Sequence, residues 1–318
     1  MTAHLAAMLL AMALDALLGW PRRLHALIGH PVGWLGALIA LGDRSLNREG
    51  ASFAVRRIAG LLLALAIIAL AAGVGLALSQ ALTGGWFKVV MTGILVWPLL
   101  AVRSMHAHVA NVAKPLGRGD MAEARYAVAM IVGRDPSQLD AAGIARAAAE
   151  SLAENTSDGI IAPLFWGIIF GLPGIAAYKA INTMDSMIGY RTARYGAFGW
   201  AAARIDDLAN IVPARLTGLL FALVSTRPAR ALSVMWRDAG QHRSPNAGWP
   251  ESAFAGALDI RLSGPRIYAD KVSDEPWLNG EARDPGAVDI DLGLILYRRA
   301  MMLAASVMAL LAISGAVS

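Results

Sequence analysis

The sequence predicts an all-α, polytopic integral membrane protein with broken or re-entrant helices and cytoplasmic helical and loop segments. Three observations carry this. Of 318 residues, 57% are hydrophobic and 16% charged, whereas a soluble domain carries about 25% charged residues. Apolar runs at 3–18, 58–82, 89–105 and 294–316 approach or exceed the length that spans a bilayer. Two further apolar runs, 160–181 and 208–224, are interrupted by Gly171-Leu172-Pro173-Gly174 and by Pro213 with Arg215. Broken helices are tolerated at membrane depth where they line a protein-buried cavity.

Taken in order, the chain divides into N-terminal membrane helices (1–105), a cytoplasmic helical segment (106–158), a broken-helix core (159–225), a cytoplasmic polar loop (226–293) and a C-terminal membrane helix (294–318). The first helix is read as retained: it lacks a basic leader, carries Asp15, and runs into Gly19-Trp20-Pro21-Arg22-Arg23 rather than a cleavage site. Arginines crowd 19–57 and the stretch after 103. The positive-inside bias places both in the cytoplasm and the N-terminus outside. Helices are expected at about 121–131 and 139–154, separated by the break Gly133-Arg134-Asp135-Pro136. A re-entrant turn at 171–174 would return the polar groups flanking 160–181 to one membrane face. A single kinked crossing would separate them.

Composition excludes several chemistries. There is no cysteine, hence no disulfide, zinc–thiolate site, iron–sulfur cluster or thiol nucleophile. The net charge of +5 comes without an aromatic-basic recognition module, so no nucleic-acid partner is expected. None of the six histidines forms a tight metal pattern, and no phosphate-binding P-loop or nucleophile elbow occurs. His106 and His108 read as polar helix-end residues.

The chemistry-bearing residues cluster at the mouths of the interrupted runs. Glu150, Glu154 and Asp158 are spaced to share one helix face. Like charges there repel, and a hard cation would relieve them, since Mg²⁺ is held by one or two carboxylates plus substrate phosphates. The competing reading is a solvated acidic face. Asn182 and Asp185 lie one turn apart, and Asp206, Asp207 and Asn210 form a third set. Each resembles half of a cation–diphosphate site. Asn182 could equally cap a helix. Arg191, Arg194 and Arg215 suit phosphate or carboxylate, although the first two also suit interfacial anchors. Arg215 sits among apolar residues and needs a partner, with Asp206, Asp207 or a ligand as candidates. In the segment 241–251, His242, Arg243 and Asn246 are candidate substrate contacts, and Trp249 would cover a large ligand or anchor at headgroups.

Several of these stretches together resemble the CobD/CbiB family, the adenosylcobinamide-phosphate synthases of cobalamin biosynthesis. They are Glu150-Ser151-x-x-Glu154-Asn155-x-x-Asp158-Gly159, Asn182-Thr183-Met184-Asp185-Ser186-Met187-x-Gly189-Tyr190, Ala203-Arg204-x-Asp206-Asp207-x-x-Asn210-x-x-Pro213-Ala214-Arg215 and Ser244-Pro245-Asn246-Ala247-Gly248-Trp249-Pro250-Glu251. The likeness extends from Asp15-x-x-x-Gly19 and His30-Pro31 through Gly133-Arg134-Asp135. It implies ATP- and Mg²⁺-dependent joining of aminopropanol, or its phosphate, to a carboxyl group of adenosylcobyric acid.

Amide synthesis from an unactivated carboxylate needs phosphorylation, cations on the phosphates and a base near the amine. Glu154, Asp158, Asp185, Asp206 and Asp207 are the expected metal ligands, with the first four also candidates for catalysis. Lys179, Arg191, Arg215 and Arg243 are expected on phosphates. Asn155, Asn182, Asn210 and Asn246 are expected on the amide-rich corrin periphery, and His242 as a substrate contact. The expected setting is a multi-pass protein of the cytoplasmic membrane with its site facing inward, in contact with lipid. A homo-oligomer or association with other membrane enzymes of the pathway stays open. A Mg²⁺-dependent prenyltransferase and a corrinoid-binding transporter are the rival readings; product formation with a prenyl diphosphate, or flux without product, would select them.

Overall fold

The computed structural model describes residues 1–133, 135–268, 271–273 and 275–317. Arg134, the centre of the Gly133-Arg134-Asp135 motif, lies outside them. The described helices are α1 (Thr2–Leu18), α2 (Arg22–Ile28), α3 (Pro31–Leu46), α4 (Phe53–Ala81), α5 (Gly85–Val96), α6 (Val102–Gly117), α7 (Met121–Ala129), α8 (Ala141–Thr156), α9 (Ala162–Ile188), α10 (Trp200–Ala209), α11 (Ile211–Val224), α12 (Pro228–Asp238), α13 (Gly248–Leu258) and α14 (Ala287–Val317). A π-helical turn, Ser157–Ile161, follows α8. Between α13 and α14 lie two short antiparallel ladders: β1 (Leu262–Ser263) pairs with β4 (Trp277–Leu278), and β2 (Arg266–Tyr268) with β3 (Lys271–Ser273).

Among the described residues, five helical stretches are long and apolar enough to cross a membrane, or six if the bent pair α10–α11 is one span. The expected run at 58–82 matches α4 to its C-cap Leu82, that at 294–316 falls within α14, and that at 89–105 falls within the candidate span Gly85–Gly117, where Pro98 sits in a short 3₁₀ turn. One expectation fails. The stretch 19–57, read as a loop, contains α3, and Arg22–Leu46 is itself a candidate span. Gly33, Gly36 and Gly42, followed by Asp43-Arg44, keep that run from reading as continuous apolar sequence.

The chain forms two compact units. The first comprises Met1–Ala101, Ala162–Asn210 and Met308–Ser318. Its core joins Ile39 of α3, Ala64 and Ile67 of α4, Ala180, Met184 and Ile188 of α9, and Phe198 and Ala201 at the start of α10. Within α9 the helix breaks at Gly171, whose φ of 67° and ψ of −148° are not helical and belong to a region almost reserved for glycine. The chain then doubles back. Ala162, Trp166, Tyr178 and Ile181 share one cluster with Ala209, although a straight helix would hold residues 162 and 178 about 24 Å apart. A side chain at Gly174 would collide with the carbonyl oxygen of Trp166, so only glycine lets the two arms meet. His4 of α1 donates from Nδ1 to the Ile168 carbonyl at 3.1 Å, one of the acceptors left open where the first arm ends. The run 160–181 is therefore a helical hairpin from 162 onward rather than one kinked helix.

The second unit comprises Val102–Ile161 and Ile211–Val307. The expected helices at 121–131 and 139–154 appear as α7 and α8, the latter capped by Asp140, which accepts from the Gly143 amide at 2.7 Å. The segment 226–293, expected as a loop, instead forms α12, α13 and the two ladders. Helix α12 buries Ala231, Val234, Met235 and Asp238, a helical stripe obscured in sequence by Pro228 and by the arginines on its outer face. Pro250 lies in the first turn of α13, where a missing N–H costs little. Phe221 and Phe254 meet edge to face at 5.3 Å in this core.

Candidate functional site

In the first unit the hairpin's second arm presents Lys179, Asn182 and Asp185 along successive turns, and α10 packs beside it. The structure thereby gathers residues some twenty positions apart. Asp206 lies within electrostatic reach of Asp185 and Asp207, and Asn182 faces it. Asp207 pairs with Arg204 at 2.9 Å and feels the charge of Arg191. The buried Asp206 carboxylate accepts from Asn210 Nδ2 at 2.9 Å through Oδ2, and Asn210 Oδ1 accepts from the Tyr178 hydroxyl at 2.9 Å. Oδ1 of Asp206 is buried without a hydrogen-bond partner. Gly189 lies against Asp185, and a Cβ there would strike its Oδ1.

The arrangement suits a divalent cation. Three carboxylates in mutual repulsion and a buried acceptor lacking a donor are what a cation relieves. Among the described residues no three His, Cys, Asp or Glu side chains form a ready-made cage. Lys179 is buried one turn before Asn182, with His30 in electrostatic reach. Arg194 is occupied elsewhere: it pairs with Asp43 at 2.7 Å and Glu49 at 3.4 Å. Asn47 and Arg56 bond to its carbonyl, which pins the segment 189–199 to α3 and α4.

In the second unit, Glu154 is exposed and Asp158 half-buried. Asp158 sits in the π turn, a local widening that recurs at functional sites. Asn155 donates to the Ser151 carbonyl at 2.9 Å, within its own helix. Glu150, grouped with these by spacing, has a structural role. Its Oε1 accepts from the Ser263 amide at 2.7 Å and so secures β1.

Arg215 does what an apolar setting demands, through partners other than those expected. It donates to the Ile211 carbonyl at 2.6 Å and lies 4.3 Å from the Trp249 ring. Trp249 also meets Trp236 edge-on at 5.0 Å and donates to the Pro245 carbonyl.

The segment 241–251 is a built turn into α13. Ser244 Oγ accepts from the Asn246 and Ala247 amides, both at 3.2 Å. His242 Nδ1 accepts from the Ser244 amide at 3.0 Å, and its Nε2 lies 3.8 Å from Glu251, with both side chains almost fully buried. Arg243 pairs with Glu275 at 3.3 Å. The backbone amides of Ser244, Asn246 and Ala247 are thereby all engaged within the turn. Sequence reasoning assigned no role to Tyr178, Arg204, Glu251 or Glu275. Tyr178 was visible only as a hydroxyl inside an apolar run; Glu275 carried no signal.

Comparison with known proteins adds a family. The model described as "CobD/Cbib protein" matches residues 8–297. A relative named "Cobalamin biosynthesis protein CobD" from Rhodobacter capsulatus is 62% identical over 98% of this chain and 99% of its own. Proteins of the same name from Brucella suis biovar 1 and a Sinorhizobium species are 46% and 45% identical, covering 92% and 91% of this chain and 92% of each relative. No solved structure matches.

Proposed function

The chain belongs to the CobD/CbiB family, and on that premise we propose that it forms an amide bond between a corrinoid carboxylate and an amino alcohol in cobalamin biosynthesis. The substrates are adenosylcobyric acid and aminopropanol or its phosphate, with ATP as co-substrate and Mg²⁺ as the cation. The observation that carries this beyond family membership is the grouping of Asp185, Asp206 and Asp207 around a buried carboxylate oxygen that lacks a donor.

A carboxylate does not acylate an amine until an oxygen is made a leaving group. In the balanced route, a corrinoid carboxylate oxygen attacks the γ-phosphorus and ADP departs. The amine lone pair then attacks the acyl carbon, phosphate leaves, and a base takes the ammonium proton. Asp185, Asp206 and Asp207 would hold Mg²⁺, which supplies positive charge to the phosphate oxygens. Arg191 adds a donor fork suited to phosphate. The Tyr178–Asn210–Asp206 chain fixes the orientation of the Asp206 carboxylate, so the cation site is set before substrate arrives. On their chemistry alone, Glu154 and Asp158 are candidate bases and Arg243 a candidate anion contact. The pair His242 and Glu251 gives the turn after α12 a defined shape, and Asn246 suits the amide-rich corrin edge. The multi-pass helical architecture supports residence in the cytoplasmic membrane, with the ATP-consuming site facing inward.

The test is incubation of purified protein with adenosylcobyric acid, ATP, Mg²⁺ and each amine in turn, followed by mass analysis of the corrinoid. The expected product is heavier by the amine minus water and appears with ADP. Failure to form amide with either amine, or formation without ATP, would overturn the reading.

A further inference from the structure

We propose that Arg204 is a further phosphate contact of the first unit's cation site, held on Asp207 before the cation arrives and turned to the substrate's phosphate oxygens once the cation takes that carboxylate. This rests on the reading that Asp185, Asp206 and Asp207 hold Mg²⁺. All of these residues lie within the first unit.

The argument begins with charge. Asp185, Asp206 and Asp207 are three carboxylates in electrostatic reach of one another. The cation is called for by Asp206 Oδ1, which is buried without a hydrogen-bond partner. One divalent cation leaves one of the three negative charges uncancelled, and a phosphate brought to that centre would be repelled. Two arginines change the sign. Arg204 lies in reach of Asp185 and Asp207, and Arg191 in reach of Asp207. With both, the loaded cluster carries one positive charge and attracts phosphate. Each guanidinium also offers a donor fork matched to phosphate oxygens.

The bond between Arg204 and Asp207 is one that can open. Both residues stand on α10, one turn apart, so the bond ties no two elements together. It is 2.9 Å long, yet the Arg204 side chain is 46% exposed and that of Asp207 24%. Partly exposed pairs at this spacing contribute little to helix stability. A divalent cation brings twice the charge to the same carboxylate and repels the guanidinium from it. Arg194 has the opposite arrangement. Its partner Asp43 is buried on α3, and Asn47 and Tyr195 donate to the same carboxylate, so Arg194 stays in place.

Binding, measured apart from turnover, tests the assignment. Full-length protein in detergent is titrated with Mn²⁺, a paramagnetic stand-in for Mg²⁺, and free Mn²⁺ is read by electron paramagnetic resonance. Inorganic tripolyphosphate, as its Mg²⁺ complex, is titrated by calorimetry. Arg204→Gln should bind Mn²⁺ alone about tenfold more tightly, because a neighbouring positive charge is gone. It should bind tripolyphosphate about tenfold more weakly, because a charge-assisted contact is lost. Arg204→Lys keeps the charge and loses the fork. It should bind Mn²⁺ like wild type and tripolyphosphate with intermediate affinity. A role confined to holding α10 together predicts no such opposite movement. Weaker binding of both ligands by Arg204→Gln would overturn the proposal. So would tighter Mn²⁺ binding with tripolyphosphate affinity intact, which would make Arg204 a counter-charge only. Asp185→Asn separates this proposal from the reading beneath it. If wild type binds Mn²⁺ no better than Asp185→Asn does, the cation site itself fails. If Asp185→Asn loses Mn²⁺ while Arg204→Gln matches wild type with both ligands, the Arg204 assignment fails alone.

Discussion

Asp206 combines burial, two neighbouring carboxylates and an oxygen without a donor. A residue in that state is costly unless something positive completes it. Asp185→Asn should keep the fold and lower turnover by on the order of 100-fold or more, given that even outer-shell partners of a metal cost 10- to 100-fold. The Mg²⁺ concentration for half-maximal rate should rise with it. Wild-type turnover with unchanged Mg²⁺ dependence would remove Asp185 from the cation site. Asn210→Ala removes the donor to Asp206 and the acceptor of Tyr178. Thermal unfolding in detergent should show a loss of about 1–3 kcal/mol, and an unaltered midpoint would contradict the chain of bonds. Much of this cluster was legible in the sequence, because amides and acids at the mouth of an apolar run have few inexpensive explanations. Glu150 was not legible: its spacing matches Glu154 and Asp158, yet its partner is a backbone amide 113 residues away, which no local pattern encodes. Arg215 was half legible. Its need for a partner followed from its apolar neighbours in sequence, but the partners in the structure are Trp249 and a carbonyl.

At the scale of elements, the hairpin of α9 carries the first cluster. Its signal, Gly171-Leu172-Pro173-Gly174 amid apolar residues, distinguished a break from a continuous helix. It could not by itself distinguish a kink from a return. The return depends on packing, with Ala162 and Trp166 against Tyr178 and Ile181. Gly171→Ala should destabilise by about 1–3 kcal/mol from backbone strain, increased by contact with His4 Nε2 2.9 Å from the new Cβ. Gly174→Ala should cost more, since its obstacle is the Trp166 backbone oxygen. Scanning calorimetry of both variants checks the order, and two neutral substitutions would refute the hairpin. Helices α3 and α12 escaped sequence reading for a shared reason. Each is interrupted by glycine or headed by proline and carries charge at an end or on one face, so composition hid a helical burial stripe.

In the second unit, half-buried charge is handled by pairing. Asp284 accepts from Arg261 at 2.9 and 2.6 Å and from Arg146, and both arginines lie over Trp277. The hydrogen bonds from Arg261, then those from Arg146, hold the Asp284 carboxyl down at about 2. A depressed carboxylate stabilises the fold fully above its unfolded value, about 3.9, and loses that contribution as pH falls toward the folded value. Asp284→Asn should therefore lower the melting temperature above pH 5, with the gap to wild type closing between pH 4 and pH 2. A gap independent of pH would mean that packing, not charge, explains the effect.

The central claim is phosphorylation of the corrinoid carboxylate before amine attack, and isotope transfer tests it most directly. Adenosylcobyric acid labelled with ¹⁸O in its reacting carboxyl is turned over with ATP, Mg²⁺ and amine, and the released phosphate is analysed by mass. The account predicts one ¹⁸O in inorganic phosphate for each amide formed, with ADP as the nucleotide product. Amide formed with unlabelled phosphate, or with AMP in place of ADP, would contradict it.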